Sequence, residues 1–117
     1  MANLLYVVGA HDELRRLLPT INVAAASLRR GDRVVLLLQG NGVYLTDPVS
    51  FLPYKRTMNG YRPPLEMVAE LARGGAEFWL NKTDLEHLGL SASPGHKVVD
   101  ADAIAESLPS FDSIVTF

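Results

Sequence analysis

Two stretches of this chain, Leu4 to Val8 and Val34 to Leu38, are apolar at every position. A strand with one face in water alternates apolar and polar residues, so such runs need cover on both faces. That is the habit of parallel strands packed between helices. The segment between them supplies one such helix, with Leu14, Leu17, Leu18, Ile21, Ala24, Ala25 and Leu28 spaced by three and four. Asp12 can cap its start, and Arg29, Arg30 and Gly31 suit its end. Pro19 interrupts the pattern and costs about 3 kcal/mol in a straight helix interior. It predicts either a kink or a helix proper that begins near Pro19.

The same alternation continues. Arg33 to Leu38 is the second strand, closed by Gln39-Gly40-Asn41-Gly42, whose glycines permit positive φ. Between Val43 and Pro63 periodicity fails, and Pro48, Pro53 and Gly60 punctuate the chain. A stretch that long without a clear element suggests a functional or interface loop, with a short helical turn around Pro48 to Leu52. Pro63-Pro64 opens a helix with Leu65, Val68, Ala69, Leu71 and Ala72 inward, and Gly74-Gly75 ends it. Ala76 to Leu80 is the third strand. Asn81 or Thr83 can cap a short helix to Leu88, stopped by Gly89. After a loop from Ser91 to Gly95 comes a short strand, Lys97 to Val99. Asp100 or Asp102 starts a helix carrying Ile104, Ala105 and Leu108, ended by Pro109, and Ser113 to Phe117 is the fifth strand. The expected fold class is α/β: one domain over residues 1–117, three-layered α/β/α, with a five-stranded, mainly parallel sheet of the Rossmann or flavodoxin-like kind.

Composition narrows the functional classes. A chain of 117 residues, 48% hydrophobic and 21% charged, can form a real core without staples. It has no cysteine, which excludes disulfides, thiolate metal sites and a thiol nucleophile. No apolar run approaches the ~18–20 residues of a bilayer span, and the start shows no basic flank or cleavage pattern. A cytoplasmic protein without membrane partners is expected. The net charge of −2 argues against nucleic acid as a partner.

In open parallel sheets ligands bind outside the carboxyl ends of the strands. That edge comprises Gly9 to Asp12, Gln39 to Tyr44, Asn81 to Asp84, and Asp100. His11 and Asp12 stand where a general base or anion contact would be placed, although Asp12 as a helix cap is the simpler reading. The three histidines, His11, His87 and His96, have no metal-binding spacing, so neither metal nor cofactor is expected. Gly40, Asn41 and Gly42 could present N–H groups to an anion, yet they lack the lysine-serine pair of a P-loop and a GxGxxG run, which favours ordinary turn chemistry. Gly9, Tyr44, Asn81, Lys82 and Asp84 complete the ligand-binding candidates. Phe51, Tyr54, Arg56, Tyr61 and Arg62, of types that dominate contact energy, read as a subunit interface or a lid.

Three stretches resemble the DsrE/DsrF/DsrH superfamily, which includes the TusB, TusC and TusD sulfur-relay subunits. Val34 to Tyr44 is similar to the family's second strand and glycine turn. Gly75 to Leu80, followed by Gly89-Leu90, resembles its third strand and the short helix after it. Phe111 to Phe117 resembles its last strand. The resemblance implies a DsrE-like, doubly wound subunit that assembles as a homo-oligomer, a trimer or hexamer, with a sulfur-relay protein as a possible partner. In the sulfur-carrying members a cysteine stands about eight residues before the family glycine. Counting back from Gly89 puts Asn81 there, and Leu88 replaces the arginine expected before that glycine. Leu80 to Leu85 is also similar to the DsrH/TusB pattern of a leucine shortly before an aspartate and leucine. An amide forms no persulfide, so the resemblance implies fold and assembly without sulfur transfer by this chain. The leading expectation is a non-catalytic homo-oligomeric binding or scaffold subunit. The alternatives are a small-molecule or anion-binding module at the carboxyl edge, or a thiol-independent enzyme using His11 or Asp84.

Overall fold

Chain segments that are apolar on both faces become strands, and those with a three-to-four period become helices. The structure, a computed structural model, describes residues 1–9, 14–46 and 60–116. The elements are β1 (Asn3–Val8), α1 (Leu14–Arg29), β2 (Arg33–Leu38), α2 (Pro64–Arg73), β3 (Glu77–Asn81), α3 (Lys82–His87), β4 (Lys97–Val99), α4 (Ala101–Ser107) and β5 (Ser113–Thr116), with 3₁₀ segments at Gly40–Thr46 and Leu108–Ser110. The five strands form one sheet in the order β4-β3-β2-β1-β5. Adjacent strands pair in parallel, in registers such as Tyr6 with Leu36 and Leu36 with Phe78. This is the α/β fold expected, with its sheet parallel throughout the described residues.

The winding explains the layers. From β1 to β4 the chain steps one way across the sheet, then returns to lay β5 beside β1. Right-handed crossovers then require α1, α2 and α3 on one face and α4 on the other, and the buried residues sort accordingly. Tyr6, Val8, Val34, Leu36, Leu38, Phe78 and Leu80 pack with Leu17, Leu18, Ile21 and Ala24 of α1, Met67 and Leu71 of α2, and Leu85 of α3. The alternate residues Leu5, Val35, Leu37 and Trp79 pack with Val99 and Phe111 on the far face, where α4 adds only half-buried Ile104. Each fully buried Leu, Ile or Val contributes about 1.5–3 kcal/mol, so the first face carries most of the stability. One buried hydroxyl pair is satisfied there: Tyr6 Oη and Ser27 Oγ lie 3.0 Å apart, and Ser27 Oγ donates to the Val23 carbonyl at 3.0 Å.

Several local expectations are corrected. Of the two readings at Pro19, the late start is excluded, since the helix runs through it from Leu14. Leu17, Leu18 and Ile21 are each at most 1% exposed on both sides of the proline, so packing overrides the missing N–H. Thr20 Oγ1 also donates to the Arg16 carbonyl at 3.0 Å. The segment after Gln39 is a 3₁₀ helix rather than featureless loop, because Val43 and Leu45 insert into the core. In α2 the buried pair is Met67 and Leu71, and Ala72, expected inward, is exposed. The helix expected to carry Leu108 stops at Ser107, Leu108 opens the 3₁₀ segment that follows, and both Ala105 and Leu108 are exposed. The helical turn expected at Pro48 to Leu52 lies outside the described residues.

At the amino ends of β2 and β3, Arg33 grips Glu77 through two hydrogen bonds of 2.6 and 3.0 Å. The pair holds the Glu77 carboxyl below its usual range and the Arg33 guanidinium above its own. Both side chains are over a third exposed, so the pair resembles a surface ion pair of at most about 1 kcal/mol.

Candidate functional site

β1, β2 and β3 end side by side, and their exits form the carboxyl edge. β1 leaves through Gly9, β2 through Gln39 into the 3₁₀ segment, and β3 through Asn81 into α3. The first two exits are locked by backbone. Gln39 N–H donates to the Val8 carbonyl at 3.1 Å, and Gly42 N–H to the Gln39 carbonyl at 2.9 Å. A Cβ on Gly42 would run into the carbonyl of Val8, so only glycine fits there. Gly40, with φ of +54°, lies close enough that a Cβ would touch the Gly9 carbonyl at 3.5 Å.

The third exit is tied to the second by side chains. Asn81 Oδ1 accepts the Asp84 N–H at 3.2 Å and so caps α3. Asp84 in turn accepts the Gly40 N–H at 2.7 Å through Oδ2, joining residues 44 apart in sequence. Gly9, Gly40, Gly42, Asn81 and Asp84 therefore converge. Asn41 and Lys82 are exposed beside them, and Tyr44 is half-buried with a polar or ring contact of its own. Asp100 caps α4, accepting the Ala103 N–H at 2.8 Å. His11 and Asp12 lie outside the described residues. The arrangement is a hydrogen-bonded knot of loop ends with one carboxylate at its centre. Nothing in the sequence pairs Asp84 with Gly40; only the convergence of two strand exits does.

Phe51, Tyr54 and Arg56 also lie outside the described residues. Half-buried Tyr61 and exposed Arg62 sit at the entry to α2, where Arg62 pairs with Glu70. They line a cavity of about 80 Å³ between α1 and α2 with Asn22, Arg29 and Met67. A second hollow of about 170 Å³ lies between α1 and β5. Neither cavity touches the convergent residues.

Two further features escaped sequence reasoning. His96, before β4, lies 5.4 Å from the Phe78 ring, and its Nδ1 has no hydrogen-bond partner among the described residues. Burial alone lowers its pKa below the ordinary 6.5. On the far face Trp79 meets Phe111 edge-on at 5.9 Å, with the Lys97 ammonium 4.8 Å from the Trp79 ring centre. Among the described residues no three His, Cys, Asp or Glu side chains are placed to hold a metal, and no helix is long and apolar enough to cross a membrane.

No family model matches the chain, and no curated protein matches it in sequence. Solved structures do match. The ychN protein from E. coli is similar over 100% of both chains, with a TM-score of 0.72 at 19% identity. A conserved protein of unknown function from Bacteroides thetaiotaomicron, BT1422, is similar over 99% of this chain and 95% of its own, with a TM-score of 0.68 at 15% identity. At these identities the likeness speaks for the fold alone, an α/β fold with a five-stranded parallel sheet and helices.

Proposed function

We propose that this chain is a non-catalytic, homo-oligomeric binding or scaffold subunit of DsrE-like fold, linked to intracellular sulfur relay through partners rather than through its own sulfur chemistry. The observation that carries the reading is Asn81. It stands at the exit of β3, where the sulfur-carrying members place a cysteine, and its side-chain oxygen is held by the Asp84 N–H as a helix cap. An amide offers neither a thiolate nor a sulfur atom to bond. The chain has no cysteine at any position that could substitute. An asparagine at this exit suits a subunit that positions a partner.

The test pairs two measurements. Incubation with a labelled persulfide donor should leave no covalent sulfur on the wild-type chain, whereas Asn81→Cys supplies the missing acceptor as a positive control. The native mass should be that of a trimer or hexamer. Covalent labelling of the wild type, or a monomer at micromolar concentration, would overturn the reading.

A small-molecule site at the carboxyl edge is the second reading, favoured by the convergence of Gly9, Gly40, Gly42, Asn81 and Asp84. Because Asp84 already takes the Gly40 N–H, a neutral or cationic ligand suits this edge better than an anion. A metabolite panel should then raise the melting temperature, and Asn81→Ala should abolish the shift. A shift that persists in the variant would remove this reading.

A further inference from the structure

Two guanidiniums line one small cavity, and only one of them is paired. The hollow of about 80 Å³ lies between the second half of α1 and the entry to α2. Arg29 comes from the last turn of α1, and Arg62 stands just ahead of α2. Glu70 of α2 takes Arg62 as an ion pair, and its Oε2 is buried. Arg29 has no carboxylate partner among the described residues; it is its neighbour Arg30 that pairs with Asp32. The buried part of the lining is apolar. Ile21 is 1% and Met67 5% exposed, with half-buried Ala25 beside them. Asn22 and Tyr61 add an amide and a phenol.

We propose that this cavity binds a small monocarboxylate, with the Arg29 guanidinium taking the carboxylate and Ile21, Ala25 and Met67 taking a short apolar tail. Three properties of the lining select that ligand. The first is charge. Two arginines against one glutamate leave one positive charge, which a monoanion balances. Inorganic phosphate carries more than one negative charge above neutral pH and would leave the excess beside the Glu70 carboxylate, where it is repelled. The second is shape: the planar guanidinium fork matches a carboxylate bidentately, and Asn22 and Tyr61 supply further donors. The third is size. Pockets for drug-sized ligands run to about 300–1,000 Å³, so a hollow this small takes a ligand of roughly four or five non-hydrogen atoms. Acetate and propionate meet all three conditions, and the buried apolar lining favours propionate by its extra methylene. The site is separate from the carboxyl edge and independent of the scaffold reading, which stands or falls on other residues.

Titration of the ¹⁵N-labelled full chain by NMR tests this, with sodium propionate, sodium phosphate and sodium chloride compared at constant ionic strength and pH 7.5. Propionate should shift the Arg29 Nε–H and Asn22 side-chain amide signals saturably, with half-saturation near about 1 mM for so small a ligand. Phosphate should bind at least about tenfold more weakly, and chloride should give no saturation. Arg29→Gln, at an exposed position, should keep its fold by circular dichroism and weaken propionate at least about tenfold, because it removes a charge-assisted hydrogen-bond pair. Ala25→Val is the second variant: it narrows the apolar end and should weaken propionate more than acetate. Shifts no different from those of chloride overturn the site. So does propionate affinity that survives both substitutions. Phosphate binding as tight as propionate overturns the choice of ligand.

Discussion

Replacing Gly42 with alanine should cripple the fold through one added methyl group. Its Cβ would meet the carbonyl oxygen and carbon of Val8, atoms of the sheet backbone with no side-chain freedom to yield. Val8 cannot retreat easily, since its carbonyl also accepts the Gln39 N–H at 3.1 Å and its own side chain is fully buried. The 3₁₀ helix cannot retreat either without withdrawing Val43 and Leu45, which are 0% and 1% exposed. Overpacking of this kind costs about 1–3 kcal/mol, and the backbone location puts Gly42→Ala near the upper end. At roughly 4 °C per kcal/mol for a domain of this size, the melting temperature should fall by about 10–12 °C. Gly9→Ala is the control, because a Cβ there meets nothing within 4 Å and its φ is not positive. Its effect should stay within about 0.5 kcal/mol. Thermal unfolding followed by circular dichroism at one fixed protein concentration measures both, the concentration being held because association shifts the midpoint. If Gly42→Ala melts within about 2 °C of Gly9→Ala, the close approach of the two strand exits is not real, and the carboxyl edge is not built as described.

Three other outcomes follow from the geometry. Asn81→Ala should cost about 1 kcal/mol through loss of the cap on α3, and Asn81→Asp should restore it; equal stability of all three would deny the capping role. Asp84→Ala should cost about 1–2 kcal/mol and speed amide exchange at Gly40, whose N–H loses its carboxylate acceptor, while unchanged exchange at Gly40 would refute the tie. His96 binds its proton less readily folded than unfolded, so its contribution to stability is complete above the ordinary pKa of 6.5 and is lost as pH falls through its lower folded value. Urea unfolding of His96→Gln from pH 7.5 to 5 should show a flatter decline than wild type, and parallel curves would sink that assignment.

The parts of this fold that were legible in the sequence are those decided locally. β2 was readable to the residue because five successive apolar side chains need two covered faces. Caps were legible only to within two residues, Asn81 or Thr83 and Asp100 or Asp102, because several short polar side chains precede each helical period, and the structure selects Asn81 and Asp100. The illegible parts depend on contacts distant in the chain. The 3₁₀ helix after Gln39 has no periodic signature, and exists because Val43 and Leu45 find space in the core beside β1 and β2. Its tie to α3 joins residues 44 apart through a backbone N–H that any residue but proline could offer. Nor does periodicity reveal that the chain doubles back to set β5 beside β1. That reversal makes α4 the one described helix on the far face, where Ile104 is half-buried and Ala105 is exposed.

The carboxyl edge and the β5 edge differ in what their described residues do. At the carboxyl edge the polar groups serve the chain itself: Asn81 holds α3, Asp84 holds the 3₁₀ helix, and Gly42 admits the Val8 carbonyl. Asp84 thus joins two strand exits through one of its carboxylate oxygens. The β5 edge has no such internal obligation beyond its pairing with β1, and its exposed Ile114 and Val115 gain most by contact with another surface. Among the described residues the physical division thus runs between an edge where Asn81, Asp84 and Gly42 hold strand exits together and an edge where Ile114 and Val115 stay exposed.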